Sequence, residues 1–149
     1  MICKLPDNIY QPIRLPSNER LKLLNEYIKD LLNLQSVDIR TYEETKLIHR
    51  TVERTLQLAV ETCLDIGQHI ISMEGFRAPG DNREVFIILQ EEDVIPDDLL
   101  PKLEAMARFR NLIVHDYARI NNSIVYKILQ ESLGDFDLFA KAIIRYGGL

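Results

Sequence analysis

Apolar residues recur along this chain at spacings of three and four, the repeat of helices that bury one face. The first such stretch covers residues 18–34 and follows Ser17, which is in position to cap the helix start. The strongest pattern covers residues 42–73 and predicts the longest helix. Its repeating positions are Ile48, Val52, Leu56, Ala59, Cys63, Ile66 and Ile70. Further apolar residues widen this stripe, so the helix must bury more than one face, against its own bundle or a second subunit.

Polar residues, glycines and prolines predict where the central helices begin and end. Residues 41–44 and 81–84 have the form of capping boxes, and they would open the long helix and a short one that ends near residue 91. Gly75 would end the long helix, and Pro101 fits only the first turn of the helix that follows. That helix is expected to carry these side chains on one face: Leu99, Leu103, Met106, Arg110, Ile113 and Tyr117.

The two ends of the chain differ in their patterns. Asn121 and Asn122 can cap a further helix, and Gly134 suggests a kink or restart within the last part of the chain. No segment alternates with a period of two, so no strand is predicted. Five or six helices joined by short loops predict an all-α fold, an antiparallel helical bundle. Residues 1–16, which contain three prolines, are expected to form an irregular arm before a bundle domain of residues 17–149.

Composition narrows the class of protein. The chain has 149 residues, which suits one domain, and its net charge of −5 argues against a surface coated with nucleic-acid-binding charge. No stretch approaches the roughly 18 apolar residues that span a bilayer, and the N-terminus lacks an apolar signal core, so a cytoplasmic protein without membrane contact is expected. The cysteines Cys3 and Cys63 form no metal or disulfide pattern, and no metal site is expected.

The unusual chemistry lies in a short segment that contains Arg110, His115 and Tyr117 within eight residues. A histidine can take a proton from a ribose 2′-hydroxyl or give one to a leaving 5′-oxygen near neutral pH. An arginine is permanently charged and binds phosphate oxygens through its forked nitrogens. Such a pair suffices for metal-free RNA cleavage that leaves a 2′,3′-cyclic phosphate.

Helix geometry constrains this arrangement. At about 100° per residue, Arg110 and Tyr117 nearly align, whereas His115 points about 140° away from Arg110. Either the helix distorts before His115, or each group completes a site with a second chain. The aliphatic residues 112–114 between them are expected to anchor the segment in the core.

Each of the three residues also has a purely structural explanation. Arg110 could pair with Asp65 or Glu61 on the long helix, His115 could be an interior histidine, and Tyr117 could be a core aromatic. Taken singly, each residue favours that explanation, but the three together at this spacing favour function. His49 and His69 have no such company in the sequence and are expected to be structural or surface residues.

The spacing Arg110, His115 and Tyr117 matches the R-x4-H-x-Y form of the HEPN motif, with Asn111 as the supporting polar residue after the arginine. From about residue 20 to residue 146, the chain resembles HepT-like toxins of the HEPN superfamily, including the long helix with segments 56–61 and 65–70.

This resemblance implies a homodimeric, metal-independent endoribonuclease without a cofactor, in which Arg110 and His115 are catalytic at a dimer cleft. The RNA substrate is left open between tRNA and mRNA. The resemblance also implies a nucleotidyltransferase antitoxin of the MntA type, which transfers AMP from ATP to Tyr117. Two alternatives stay open: a non-catalytic HEPN module that binds a nucleotide or a protein such as the nucleotidyltransferase, and a plain helical scaffold.

Overall fold

The computed structural model describes the backbone of residues 11–148 and the side chains of residues 18–148, and this part of the chain is helical throughout, without strands. Two 3-10 turns, Asp97–Leu99 and Tyr117–Arg119, lie between α-helices. The α-helices are α1 (Gln11–Leu34), α2 (Ile39–Glu44), α3 (Lys46–Glu74), α4 (Asn82–Glu91), α5 (Leu100–His115), α6 (Asn122–Glu131) and α7 (Leu133–Gly147). The predicted all-α fold is confirmed. No helix in the described range is long and apolar enough to cross a membrane.

Helix α3 lies at the centre of the bundle, in contact with α1, α2, α4, α5, α6 and α7. Its predicted stripe is buried from Val52 to Ile70, and Val60, Leu64 and Ile71 are buried beside it. The helix therefore buries more than one face, as its pattern predicted, and neighbouring helices of the same chain cover these faces. Burial of each such aliphatic side chain stabilises the fold by about 1.5–3 kcal/mol relative to exposure.

The first helix begins earlier than predicted. Helix α1 starts at Gln11, so residues 11–16 are helical although we expected them in an irregular arm. Pro12 falls in the first turn, where the N–H that proline lacks has no helical partner, and Pro16 costs α1 one backbone hydrogen bond. Residues 1–10 of the expected arm lie outside the described residues. The division of the chain into an arm and a bundle domain stays a prediction.

The predicted start of the long helix was wrong, and this explains why the described residues form seven α-helices rather than five or six. Asp38, not Thr41, is the cap: its carboxylate accepts a hydrogen bond from the Thr41 amide at 2.8 Å. The short helix α2 then ends at Thr45, whose extended backbone (φ −107°, ψ 97°) separates it from α3. The buried side chain of Tyr42 fixes α2 against the core.

The other predicted boundaries near the motif are confirmed. Gly75 ends α3 in the left-handed conformation (φ 70°), which costs a glycine little. The Asp81 carboxylate accepts from the Glu84 amide at 2.8 Å and caps α4. Pro101 lies in the first turn of α5, and the Asn121 side chain caps α6 by accepting from the Ile124 amide at 2.9 Å.

Helix α5 runs undistorted to His115 and ends there, since the Asp116 amide still donates to the Leu112 carbonyl at 2.9 Å. Asp116 then leaves the helix (φ −148°, ψ 51°), and Tyr117 begins a 3-10 turn. The prediction that Tyr117 shares a face of α5 was therefore wrong. The expected anchor is also smaller than predicted, because Ile113 is buried whereas Val114 is 40% exposed.

Candidate functional site

Arg110 projects from α5 towards α3, and its side chain is only 21% exposed. Its Nε donates to Glu61 Oε2 at 3.0 Å, and its Nη1 donates to Asn111 Oδ1 at 3.2 Å. Within the described part of the chain, the third guanidinium nitrogen, Nη2, has no hydrogen-bond partner. Two protein bonds thus fix the plane of the guanidinium and leave Nη2 available to an anion.

Two further residues hold these partners in place. The amide of Gln57 donates to the same Glu61 oxygen at 3.1 Å, from one helical turn earlier on α3. Asn82, the first residue of α4, donates to Asn111 Oδ1 at 3.4 Å. Sequence reasoning named Glu61 only as a structural partner and missed Gln57 and Asn82. The spacing of four between Gln57 and Glu61 is the local signal for that contact, whereas nothing in the sequence relates Asn82 to the motif.

His115 is the last residue of α5, and its side chain is exposed. No hydrogen bond or ion pair joins its ring to another residue of the described range. The interpretation of His115 as an interior histidine was therefore wrong. An imidazole that is free of protein partners can exchange a proton with a bound molecule.

Tyr117 lies in the 3-10 turn after α5, and it is 52% exposed. Its hydroxyl nevertheless donates to Glu53 Oε1 at 2.7 Å, and Glu53 is only 6% exposed. This hydrogen bond raises the pKa of the Tyr117 phenol above its ordinary value, burial and the negative charge of Glu53 add to the increase, and nearby Arg50 opposes it. Tyr117 is thus not a core aromatic, although its hydroxyl is held by the bundle.

The three motif residues are not all brought together by one chain. Arg110 and Tyr117 are both bonded to α3, through Glu61 and Glu53, which are eight residues or about 12 Å apart along the helix axis. Neither residue forms a hydrogen bond with His115. The single chain therefore presents an ordered arginine and an ordered tyrosine, each bonded to α3, and a separate exposed histidine.

Two of the remaining titratable candidates, Cys63 and His49, have surroundings that fit a structural role. Cys63 is fully buried, and burial raises the pKa of its thiol, which disfavours the reactive thiolate. His49 lies within 3.3 Å of the Tyr42 carbonyl and contacts the Tyr42 ring. Among the described residues, no three His, Cys, Asp or Glu side chains are grouped as a metal would require.

Comparison with known proteins gives consistent matches over most of this region. The family described as Ribonuclease HepT-like matches residues 24–143. The mRNA nuclease HepT of Shewanella oneidensis is 31% identical over 102 residues, which cover 68% of this chain and 77% of that protein. The tRNA nuclease HepT of Aphanizomenon flos-aquae is 26% identical over 127 residues, which cover 85% of this chain and 86% of that protein.

The fold is also similar to solved structures. One is the tri-AMPylated S. oneidensis HEPN toxin in complex with the MNT antitoxin, with a TM-score of 0.80, 27% identity, and coverage of 87% of this chain and 96% of that one. YutE of Bacillus subtilis, a cytosolic protein of unknown function, matches with a TM-score of 0.72, 20% identity, and coverage of 87% and 89%. The second likeness shows the fold alone.

Proposed function

The chain belongs to the HepT-like ribonuclease family, and from that premise we propose that it is the toxin of a toxin–antitoxin pair. In this proposal, Arg110 and His115 cleave RNA without a metal ion, and Asn111 supports the arginine. A nucleotidyltransferase antitoxin of the MntA type silences the toxin by transferring AMP to Tyr117.

The observation that carries the proposal is the ordered guanidinium of Arg110. Glu61 and Asn111 fix it, while no side chain or carbonyl of the described range bonds to Nη2, which can therefore bind an anion. In the reaction, the ribose 2′-oxygen attacks the adjacent phosphorus, the bond to the 5′-oxygen breaks, and a 2′,3′-cyclic phosphate forms. Arg110 would stabilise the negative charge that develops on the phosphate oxygens. His115 would remove the 2′-hydroxyl proton or protonate the leaving oxygen.

A homodimer would complete this site. Within one chain, His115 is exposed and is not hydrogen-bonded to Arg110. Helix α5 continues without a bend to His115, so the two side chains leave the helix in different directions. A two-fold axis would place two Arg110 and His115 pairs across one cleft, so that both proton transfers have a histidine available.

Control through Tyr117 follows from its position. The phenol is half exposed, so a second enzyme can reach it, and it is held by α3, the helix that also holds Arg110. The S. oneidensis relative is itself tri-AMPylated in complex with its MNT antitoxin. Added AMP would bring negative phosphate charge to the part of the bundle that holds Arg110, where it would repel substrate phosphates.

Incubation of the purified chain with total tRNA and with a defined mRNA, in the presence of a chelator, tests the proposal. We expect cleavage products that end in a 2′,3′-cyclic phosphate, and we expect His115→Ala to lower the rate by about 100-fold or more. Coexpression with the antitoxin and ATP should abolish cleavage and add AMP mass to the chain but not to Tyr117→Phe. A chain that binds the antitoxin tightly yet never cleaves RNA would instead be a non-catalytic binding module.

A further inference from the structure

Glu53 is a buried carboxylate that the proposed RNA-cleaving site does not use. It is only 6% exposed, it lies on the central helix α3, and its Oε1 is 2.7 Å from the hydroxyl oxygen of Tyr117. No Lys, Arg or His side chain of the described range is within ion-pair distance of it. A carboxylate is seldom buried without a charged partner, because its loss of hydration is strongly unfavourable.

The needs of Tyr117 do not explain this burial. The tyrosine is 52% exposed, so water could accept its hydroxyl hydrogen bond without any help from the protein. A matched pair elsewhere shows the ordinary arrangement: Tyr146 donates to Glu74, whose carboxylate is exposed at the end of α3. Glu53 differs from Glu74 in being withdrawn from water while facing the one tyrosine of the motif.

Two other polar side chains, those of Tyr42 and Arg50, interact with this hydrogen-bonded pair, and neither is a base. The hydroxyl of Tyr42 is buried with no hydrogen-bond partner in the described range, and its charge interactions are with Glu53 and Tyr117. Arg50, which is exposed on α3, interacts with Tyr117 through its positive charge. Its guanidinium is already protonated and cannot accept a further proton. Among the described residues, Glu53 is therefore the base that is already hydrogen-bonded to the Tyr117 hydroxyl.

We propose that Glu53 is the general base for AMP transfer to Tyr117, a role that rests on the function proposed above. The phenolic oxygen attacks the α-phosphorus of ATP held by the antitoxin, and a new oxygen–phosphorus bond forms. The bond from the α-phosphorus to the oxygen that bridges to the β-phosphate breaks, and pyrophosphate leaves. The phenolic proton moves to Glu53 Oε1 and from there to water.

The protonation state of Tyr117 sets the timing of this transfer. A tyrosine phenol, whose ordinary pKa is about 10, is neutral near pH 7 before the reaction, and its proton must leave as the oxygen attacks. A base that acts in this way must lie within hydrogen-bond distance of the proton it takes, about 2.6–3.2 Å between heavy atoms, and Glu53 meets this condition before the partner binds.

The test compares initial rates of AMP addition, measured by intact mass, for the full chain mixed with the antitoxin and ATP. Glu53→Gln keeps the size and a hydrogen-bond acceptor but removes the base, and we expect kcat to fall by about 10²–10⁴-fold with little change in KM. Its rate should rise with pH as the phenol ionises by itself, while the rate of the parent should not. Glu74→Gln is the matched control and should react at the rate of the parent.

Glu53→Asp keeps a carboxylate but shortens the side chain by one methylene, which moves the base away from the Tyr117 hydroxyl. This variant should react faster than Glu53→Gln, and it provides a second test if Glu53→Gln folds poorly. AMP addition to Glu53→Gln at the parental rate would overturn the inference, and so would a loss confined to KM, which would mean that Glu53 serves docking. If the parent chain gains AMP at no tyrosine, the proposed control through Tyr117 fails, and this inference fails with it.

Discussion

The Arg110→Ala substitution distinguishes a catalytic role of this arginine from a structural one, because the two roles predict different losses of stability and of cleavage rate. The guanidinium is 21% exposed, and its carboxylate partner on Glu61 is 30% exposed, so the ion pair is neither buried nor fully hydrated. After the substitution, Glu61 would keep its hydrogen bond from Gln57, and Asn111 would keep its bond from Asn82. The groups left behind therefore retain partners, and the structural cost is limited.

The expected magnitudes for stability and activity differ widely. Exposed ion pairs contribute about 0.2–1 kcal/mol, and breaking a buried pair costs about 3–5 kcal/mol. For the intermediate exposure of Arg110, we expect a loss of about 1–2 kcal/mol, which lowers the melting temperature by about 2–8 °C for a domain of this size. An arginine or an oxyanion donor that stabilises a reacting phosphate is worth about 10²–10⁵ in rate.

The two readouts are thermal unfolding by circular dichroism and single-turnover cleavage of a labelled RNA. A loss of about 2 kcal/mol leaves a domain of ordinary stability almost entirely folded, so it cannot account for a 100-fold or greater fall in rate. The matched control is Arg108→Ala, an exposed arginine on the same helix, which should melt and cleave like the parent. An Arg110→Ala protein that cleaves within about threefold of the parent yet melts far lower would refute the catalytic assignment.

Three further predictions concern the bundle and its titratable groups. Gly67→Ala would place a Cβ 2.7 Å from Val85 Cγ1, so we expect a loss of about 1–3 kcal/mol in the free energy of unfolding, measured with urea. The hydrogen bond to Glu53 raises the pKa of Tyr117 above its ordinary value of 10.0. This interaction therefore stabilises the fold fully below pH 10.0, and the stabilisation is lost as the pH rises through the pKa of the folded state. Thermal unfolding at a series of increasing pH values measures this loss. The buried thiol of Cys63 should react with an aromatic disulfide reagent only after denaturant is added.

Each of these predictions has a control in the same chain. Gly134→Ala adds its Cβ to open space within α7 and should stabilise the protein slightly, in contrast to Gly67→Ala. Tyr117→Phe removes this phenol, so its melting temperature should lack the part of the alkaline decrease that the phenol causes in the parent. A Cys3→Ala background leaves Cys63 as the only cysteine. Equal stability for the two glycine variants, or fast thiol reaction of the native protein, would contradict the packing described above.

The helices were predictable from sequence because a helix that buries one face must repeat its apolar residues every three or four positions. The boundaries failed where two local signals compete. Residues 38–44 contain two possible caps, Asp38 and Thr41, and only the burial of Tyr42 against α3 and α6 selects the first. The prediction for residues 11–16 was wrong for a related reason. Their prolines are typical of irregular segments, yet proline is also accepted near the start of a helix.

The candidate site was only partly predictable. Arg110, His115 and Tyr117 stand out because their combined chemistry lies within eight residues. Glu53, the partner of Tyr117, lies 64 positions away in the sequence, and Asn82, the partner of Asn111, lies 29 positions away. Only the packing of α3 and α4 against α5 brings them near the motif. An isolated Glu beside an apolar stripe resembles the edge of a solvated face, so the burial of Glu53 could be seen only in three dimensions.

The short turn after α5 gives the protein two regions of very different local stability. Tyr117–Arg119 buries none of its residues and is closed by two backbone hydrogen bonds, from the Arg119 amide to Asp116 and from the Ile120 amide to Tyr117. Such segments open locally at small free energy, and their amide hydrogens exchange quickly, while a central helix such as α3 opens only with global unfolding. The turn can therefore adjust to a bound partner while the Tyr117 hydroxyl keeps its hydrogen bond to Glu53 and the core stays closed.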